Sequence, residues 1–121
     1  MSAIDKLHVA KRIMIREFSQ DLLLTELSEE HFRLKIVLDT KERLYVRYND
    51  YEEYSYQAHF SPQIEDFIRF DNFDDRWPVL SRPHHFHRKN GNVEKSSMNG
   101  EPEHDIPLFC EVVRAMIAKE D

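Results

Sequence analysis

Two hydrophobic rhythms divide this chain, and the switch between them lies near residue 30. From Ala3 to about Leu24 the apolar positions Ile4, Leu7, Ala10, Met14, Phe18 and Leu22 recur every three or four residues. That spacing lines one face of a helix, here predicted over about 3–24 and covering a sheet. Ser2 followed by Asp5 is a weak capping box, since Glu or Gln is the stronger partner. Arg12, Arg16, Glu17 and Asp21 fall off the stripe, towards solvent.

From Phe32 the period becomes two. Phe32, Leu34, Ile36 and Leu38 alternate with Arg33, Lys35 and Asp39. After the polar break Asp39-Thr40-Lys41-Glu42, Leu44, Val46 and Tyr48 alternate with Arg43, Tyr45 and Arg47. These are half-buried strands joined as a hairpin. A third strand puts Tyr54, Tyr56, Ala58 and Phe60 on one face and Ser55, Gln57 and His59 on the other. Ser61-Pro62-Gln63 is a turn, a fourth strand runs through Ile68-Arg69-Phe70-Asp71-Asn72, and a short fifth covers His84 to Arg88. Asn90-Gly91-Asn92 suits a turn with positive backbone angles, and Lys95 to Glu103 reads as a mobile loop. Asp105 can cap a final helix over about 106–119, with Pro107 in its first turn and Phe109, Val112, Val113, Met116 and Ile117 along one face. The expected fold is a single α+β domain: an antiparallel meander over about 32–90, packed by an N-terminal and a C-terminal helix.

Composition narrows the class. A chain of 121 residues, 40% hydrophobic and 33% charged, is sized for one core. No apolar run approaches the roughly 20 residues of a membrane span, and the amphipathic N-terminus lacks the features of a signal peptide. The single cysteine, Cys110, has no internal partner, which fits a reducing, cytoplasmic setting. It falls in the apolar pattern of the last helix and reads as core. Net charge is −6, so any nucleic acid must meet a local cationic patch. Arg82 to Lys89, free of carboxylates, is the candidate.

Chemistry concentrates between Ile68 and Asn90, which hold three of the seven histidines, four arginines and the only tryptophan. Residues two apart in a strand share a face, so His85 and His87 project together while His84, Phe86 and Arg88 project the other way. With Phe86 in the core, His85 and His87 lie on the cleft side. Arg69 and Asp71 separate from Ile68 and Phe70 in the same way. If the two strands pair, a guanidinium, a carboxylate and two imidazoles converge. That set suits phosphodiester cleavage without a metal: one histidine takes the 2′-hydroxyl proton, a second group protonates the leaving oxygen, and arginine offsets charge on phosphorus. Histidine fits because its ordinary pKa lies near working pH. On a strand's solvent face the same side chains are more often simply solvated, and Asp71-Asn72 can be a plain turn. A zinc site from His84, His85, His87 and His104 is a weaker reading, for the chain has no cysteine pair and no HExxH. Trp77 reads as a lid or packing residue, while His8 and His31 read as inert helix surface.

The pieces Tyr54-Ser55-Tyr56, Arg69-Phe70-Asp71-Asn72 and Pro83-His84-His85-Phe86-His87-Arg88 together resemble the TumE-type toxin family of toxin–antitoxin modules. The resemblance spans roughly Phe32 to Ile117. It implies a small α+β toxin, encoded beside a helix-turn-helix antitoxin and acting on a nucleic acid. The recurring polar positions carry over to Arg69, Asp71, Asn72, His85, His87 and Arg88. Phe73-Asp74-Asp75-Arg76-Trp77 stands as an insertion against the family's pattern. The combined expectation is a cytoplasmic, metal-independent ribonuclease without a cofactor. Its catalytic residues are His85, His87 and Asp71, and its substrate-binding residues Arg69, Arg88, Asn72 and His84. Its partners are RNA and an antitoxin whose basic surface suits this acidic chain, no membrane is involved, and a homodimer stays open. The alternative is a non-enzymatic module that binds nucleic acid or protein through the histidine strand.

Overall fold

The computed structural model, describing residues 1–120, places two helices at the ends of the chain and seven strands between them. In chain order these are α1 (Ala3–Glu17), β1 (Leu22–Ser28), β2 (Arg33–Leu38), β3 (Arg43–Tyr48), β4 (Tyr54–His59), β5 (Phe67–Asp71), β6 (His85–His87), β7 (Val93–Lys95) and α2 (Pro102–Glu120). The strands form one sheet in the order β1 to β7, every neighbouring pair antiparallel. The expected α+β meander with terminal helices is the fold observed.

One face of the sheet is covered and the other is open. Leu34, Ile36, Leu44, Val46, Tyr56, Ala58, Ile68 and Phe70 form a single core with Leu7, Ala10 and Met14 of α1 and Ile106, Phe109 and Val113 of α2. Ser2 and Asp5 do close the capping box of α1. Such a cap contributes about 1 kcal/mol, against roughly 1.5–3 kcal/mol for each fully buried Leu or Ile. The apolar stripe therefore holds α1 in place.

Three boundaries differ from expectation. The first helix ends at Glu17, capped by Phe18, and Leu22 begins β1, a strand the helical spacing concealed. Leu22, Leu23 and Leu24 in a row satisfy either period, and pairing with β2 decides for the strand. Residues 95–103, expected as a mobile loop, are attached to the fold at several points. Lys95 ends β7 against β6, Met98 is buried, and the amides of Asn99 and Gly100 are bound at 3.0 and 2.7 Å by Asp105. Asp105 accordingly does not sit before the helix. Pro102 opens α2, where a missing N–H costs nothing, and Asp105 reaches back from inside its first turns. Gly100, at φ 92°, packs on the Tyr54 ring, where an added Cβ would lie 3.4 Å from a ring carbon. Cys110 is buried in α2 as expected, and burial pushes its thiol up to about 12.

Candidate active site on the open face of the sheet

Strand register assembles the site. Asp71 lies opposite His85, and Arg69 opposite His87, in the antiparallel pairing of β5 with β6. The intervening Phe70 and Phe86 point to the helices and stack at a ring separation of 4.2 Å. Alternation then leaves Arg69, Asp71, His85 and His87 together on the face that no helix covers. The cluster that the spacing implied is present.

Asp71 is its centre. Its side chain is 4% exposed, with Arg69 Nε 2.7 Å from Oδ2 and His87 Nε2 3.7 Å from Oδ1. His85 Nε2 also contacts Oδ1. Burial alone would raise the pKa of this carboxyl. The neighbouring His87 ring and the charges of Arg69, His85 and His87 outweigh burial and hold it below the ordinary carboxylate range.

The two imidazoles differ. His85 Nδ1 donates to the Pro83 carbonyl at 2.9 Å, and its Nε2 faces Asp71. Both nitrogens thus face oxygen atoms inside the protein, one from the backbone and one from the carboxylate. Its side chain is only 2% exposed, so the expectation that both rings line an open cleft fails for His85. His87 retains 15% exposure. Its Nε2 stands between a donor, Arg69 Nη2 at 3.4 Å, and an acceptor, Asp71 Oδ1 at 3.7 Å. Whether that nitrogen carries a proton or not, a partner faces it. A group that gains and loses a proton needs such a setting. Trp77 packs against both rings, 6.2 Å from His85 and 5.7 Å from His87.

Three of the expected binding residues lie elsewhere. Arg88 is on the helix side, over the Phe86 ring at 5.0 Å and in contact with Glu94. His84 shares a 2.8 Å hydrogen bond with the Tyr54 hydroxyl, also away from the cluster. Asn72 joins backbone to backbone, accepting from Tyr54 N at 2.9 Å and donating to Glu52 O at 3.0 Å. His104 is bound to Asp105 at 2.7 Å and takes no part. Asp71, His85 and His87 set ligand atoms within 4.8 Å of one another, close enough for a divalent ion. The Arg69 guanidinium beside both His87 and Asp71 opposes a second cation there.

Sequence reasoning passed over Ser55 and the outward side chains of β2 and β3. Ser55 lies opposite Asp71 on one side and opposite Arg47 on the other. Only strand order reveals this, because Arg33 and Arg47 read in the sequence as ordinary solvent-facing positions.

Among known proteins, a family model described as Toxin TumE matches residues 6–117, nearly the whole chain. No curated protein and no solved structure matches it.

Proposed function

The chain belongs to the Toxin TumE family, and on that premise we propose that its toxicity comes from metal-independent cleavage of RNA at the Asp71 cluster. Family membership gives the chain a toxin's role and implies an antitoxin partner. Among the described residues no helix is long and apolar enough to cross a membrane. The proposal adds the substrate and the chemistry, and the observation that carries it is His87 Nε2 poised between Arg69 and Asp71.

In the proposed reaction His87 Nε2 takes the proton of a ribose 2′-hydroxyl, whose oxygen attacks the adjacent phosphorus. The bond to the 5′-oxygen breaks, leaving a 2′,3′-cyclic phosphate, and the leaving oxygen takes a proton from His85 once Trp77 lifts off the pair. Arg69 offsets charge on the phosphorane oxygens, a role in which one donor is worth about 10²–10³ in rate. Asp71 keeps both rings oriented. The antitoxin, as a helix-turn-helix protein with a basic surface, would complement the chain's charge of −6.

The burial of His85 favours a second reading, a module that binds RNA or protein without cutting. Incubation of the purified chain with total RNA in EDTA separates the two. The wild type should yield fragments with cyclic phosphate ends, and His87→Ala and the His85→Ala, His87→Ala pair should not. RNA left intact by the wild type, yet bound by all three, would establish the binding module. Activity that EDTA abolishes would transfer the site to a metal mechanism.

A further inference from the structure

We propose that the open face of the sheet from β2 to β5 is a binding track for single-stranded RNA leading to the Asp71 cluster. The inference deepens the ribonuclease reading and rests on it for the direction of the track.

Cross-strand register supplies the first argument. Arg33 lies opposite Arg47, Arg47 opposite Ser55, and Ser55 opposite Asp71, so one continuous row runs from two guanidinium groups to the cluster. β2 and β5 are three strand spacings apart, about 14 Å, a reach of a few nucleotides. Like charges directly opposite in an antiparallel pair destabilise a sheet. Arg69, Arg76, Arg82, Arg88 and Arg114 each meet a carboxylate. Among the described residues Arg33 and Arg47 meet none, and neither do Arg12, Arg16 and Arg43; Arg33 and Arg47 are set apart by facing each other across a strand pair. A repulsive pair left uncompensated on a chain of net charge −6 marks a place where an anion completes the surface.

The lining supplies the second argument. Arg33, Tyr45, Arg47, Ser55, Gln57 and His59 surround a shallow hollow of about 300 Å³. Burial, and then the charge of Arg43, lower the pKa of His59, so at neutral pH its ring is an uncharged aromatic surface. It stacks on Phe67 at 5.5 Å and meets Tyr45 edge-on at 5.7 Å. Cations that hold phosphates beside aromatic rings that accept base faces are the two components of single-strand recognition. A duplex hides its base faces and would leave the rings without use.

The test uses a fluorescent single-stranded RNA of about 12 nucleotides, a length within the site sizes of such surfaces, carrying 2′-O-methyl at every position. This probe has no 2′-hydroxyl to attack, so binding is read apart from cleavage. In Arg47→Glu the repulsive pair opposite Arg33 becomes an attractive one. Thermal stability should hold or rise while affinity falls at least fivefold, and the slope of log K against log salt should shrink by about 0.7 for the lost phosphate contact. Tyr45→Ala should cost about tenfold through the lost stacking partner. Arg16→Glu, the same charge change on the exposed side of α1, should leave affinity within twofold. Equal weakening by Arg16→Glu, equal affinity for duplex RNA, or competition by poly-aspartate matching that by RNA would each overturn the track, the last in favour of an acidic protein segment. If the wild type binds the probe but leaves unmodified RNA intact, the ribonuclease reading falls and the track stands. If Arg47→Glu cuts unmodified RNA as well as the wild type does, the track falls and the ribonuclease stands.

Discussion

Asp71 and Asp105 are both buried carboxylates, one on each side of the same sheet, and their partners could hardly differ more. Asp105 is fully enclosed. It accepts from the Tyr56 hydroxyl at 2.7 Å, the Gly100 amide at 2.7 Å and the Asn99 amide at 3.0 Å, with His104 Nδ1 also at 2.7 Å. Two of these donors are backbone and cannot leave. Among the described residues Asp71 meets no backbone amide. Its neighbours are Arg69, His85 and His87, two of which can give up a proton, and one of those two touches solvent. Fixed donors make a carboxylate an anchor for a chain turn. Titratable donors with a path to solvent make it the hub of a site that can move protons.

The largest effect expected from this contrast is on stability. Asp105→Ala strips an acceptor from two amides and a hydroxyl at once and should cost about 3 kcal/mol in urea unfolding. A cost under about 1 kcal/mol would show that the turn before α2 does not depend on it. Asp71→Asn keeps the shape and removes the charge. RNA cleavage should fall about a hundredfold, near 2.7 kcal/mol in barrier, with a smaller loss of stability than Asp105→Ala. If stability collapses in Asp71→Asn and the residual rate is normal, the two carboxylates share one structural role.

Acid titration sharpens the same comparison. Folded Asp71 releases its proton at lower pH than the unfolded carboxyl, so its stabilising contribution is complete above the unfolded value of about 3.9. That contribution disappears as pH falls through the lower folded value. The stability gap between wild type and Asp71→Asn should therefore begin to narrow as pH falls below about 4 and vanish only below the folded value, measured by melting temperature across the acid range. The smallest expected effect is at Tyr56, whose hydroxyl donates to Asp105 and accepts from Tyr48 at 3.0 Å. Tyr56→Phe should cost about 1 kcal/mol and leave RNA cleavage unchanged.

Much of the fold was legible because alternation is a local property. Leu34, Ile36, Leu44 and Val46 could face only one way if the polar positions between them were to reach water. The same rule separated His85 and His87 from Phe86, and it also placed Arg88 and His84 on the far side from the cluster. Boundaries were harder where local patterns conflict. The leucine run at 22–24 fits a helix or a strand, and β7 is only three residues long, with little pattern of its own. Asp105 was misplaced because the amides it binds precede it in a turn whose shape comes from packing against Tyr54.

The sequence by itself determined the two periodicities, their switch, and which of Arg69, Asp71, His85 and His87 could share a face, since side-chain direction follows from backbone geometry alone. Only the tertiary structure decided which strand lies beside which. Register between strands placed Asp71 against His85, buried that ring while leaving His87 at the surface, and set Arg33 opposite Arg47. Those contacts join residues far apart in the chain, and their energies depend on burial and distance, quantities that exist only once the sheet has closed over its core.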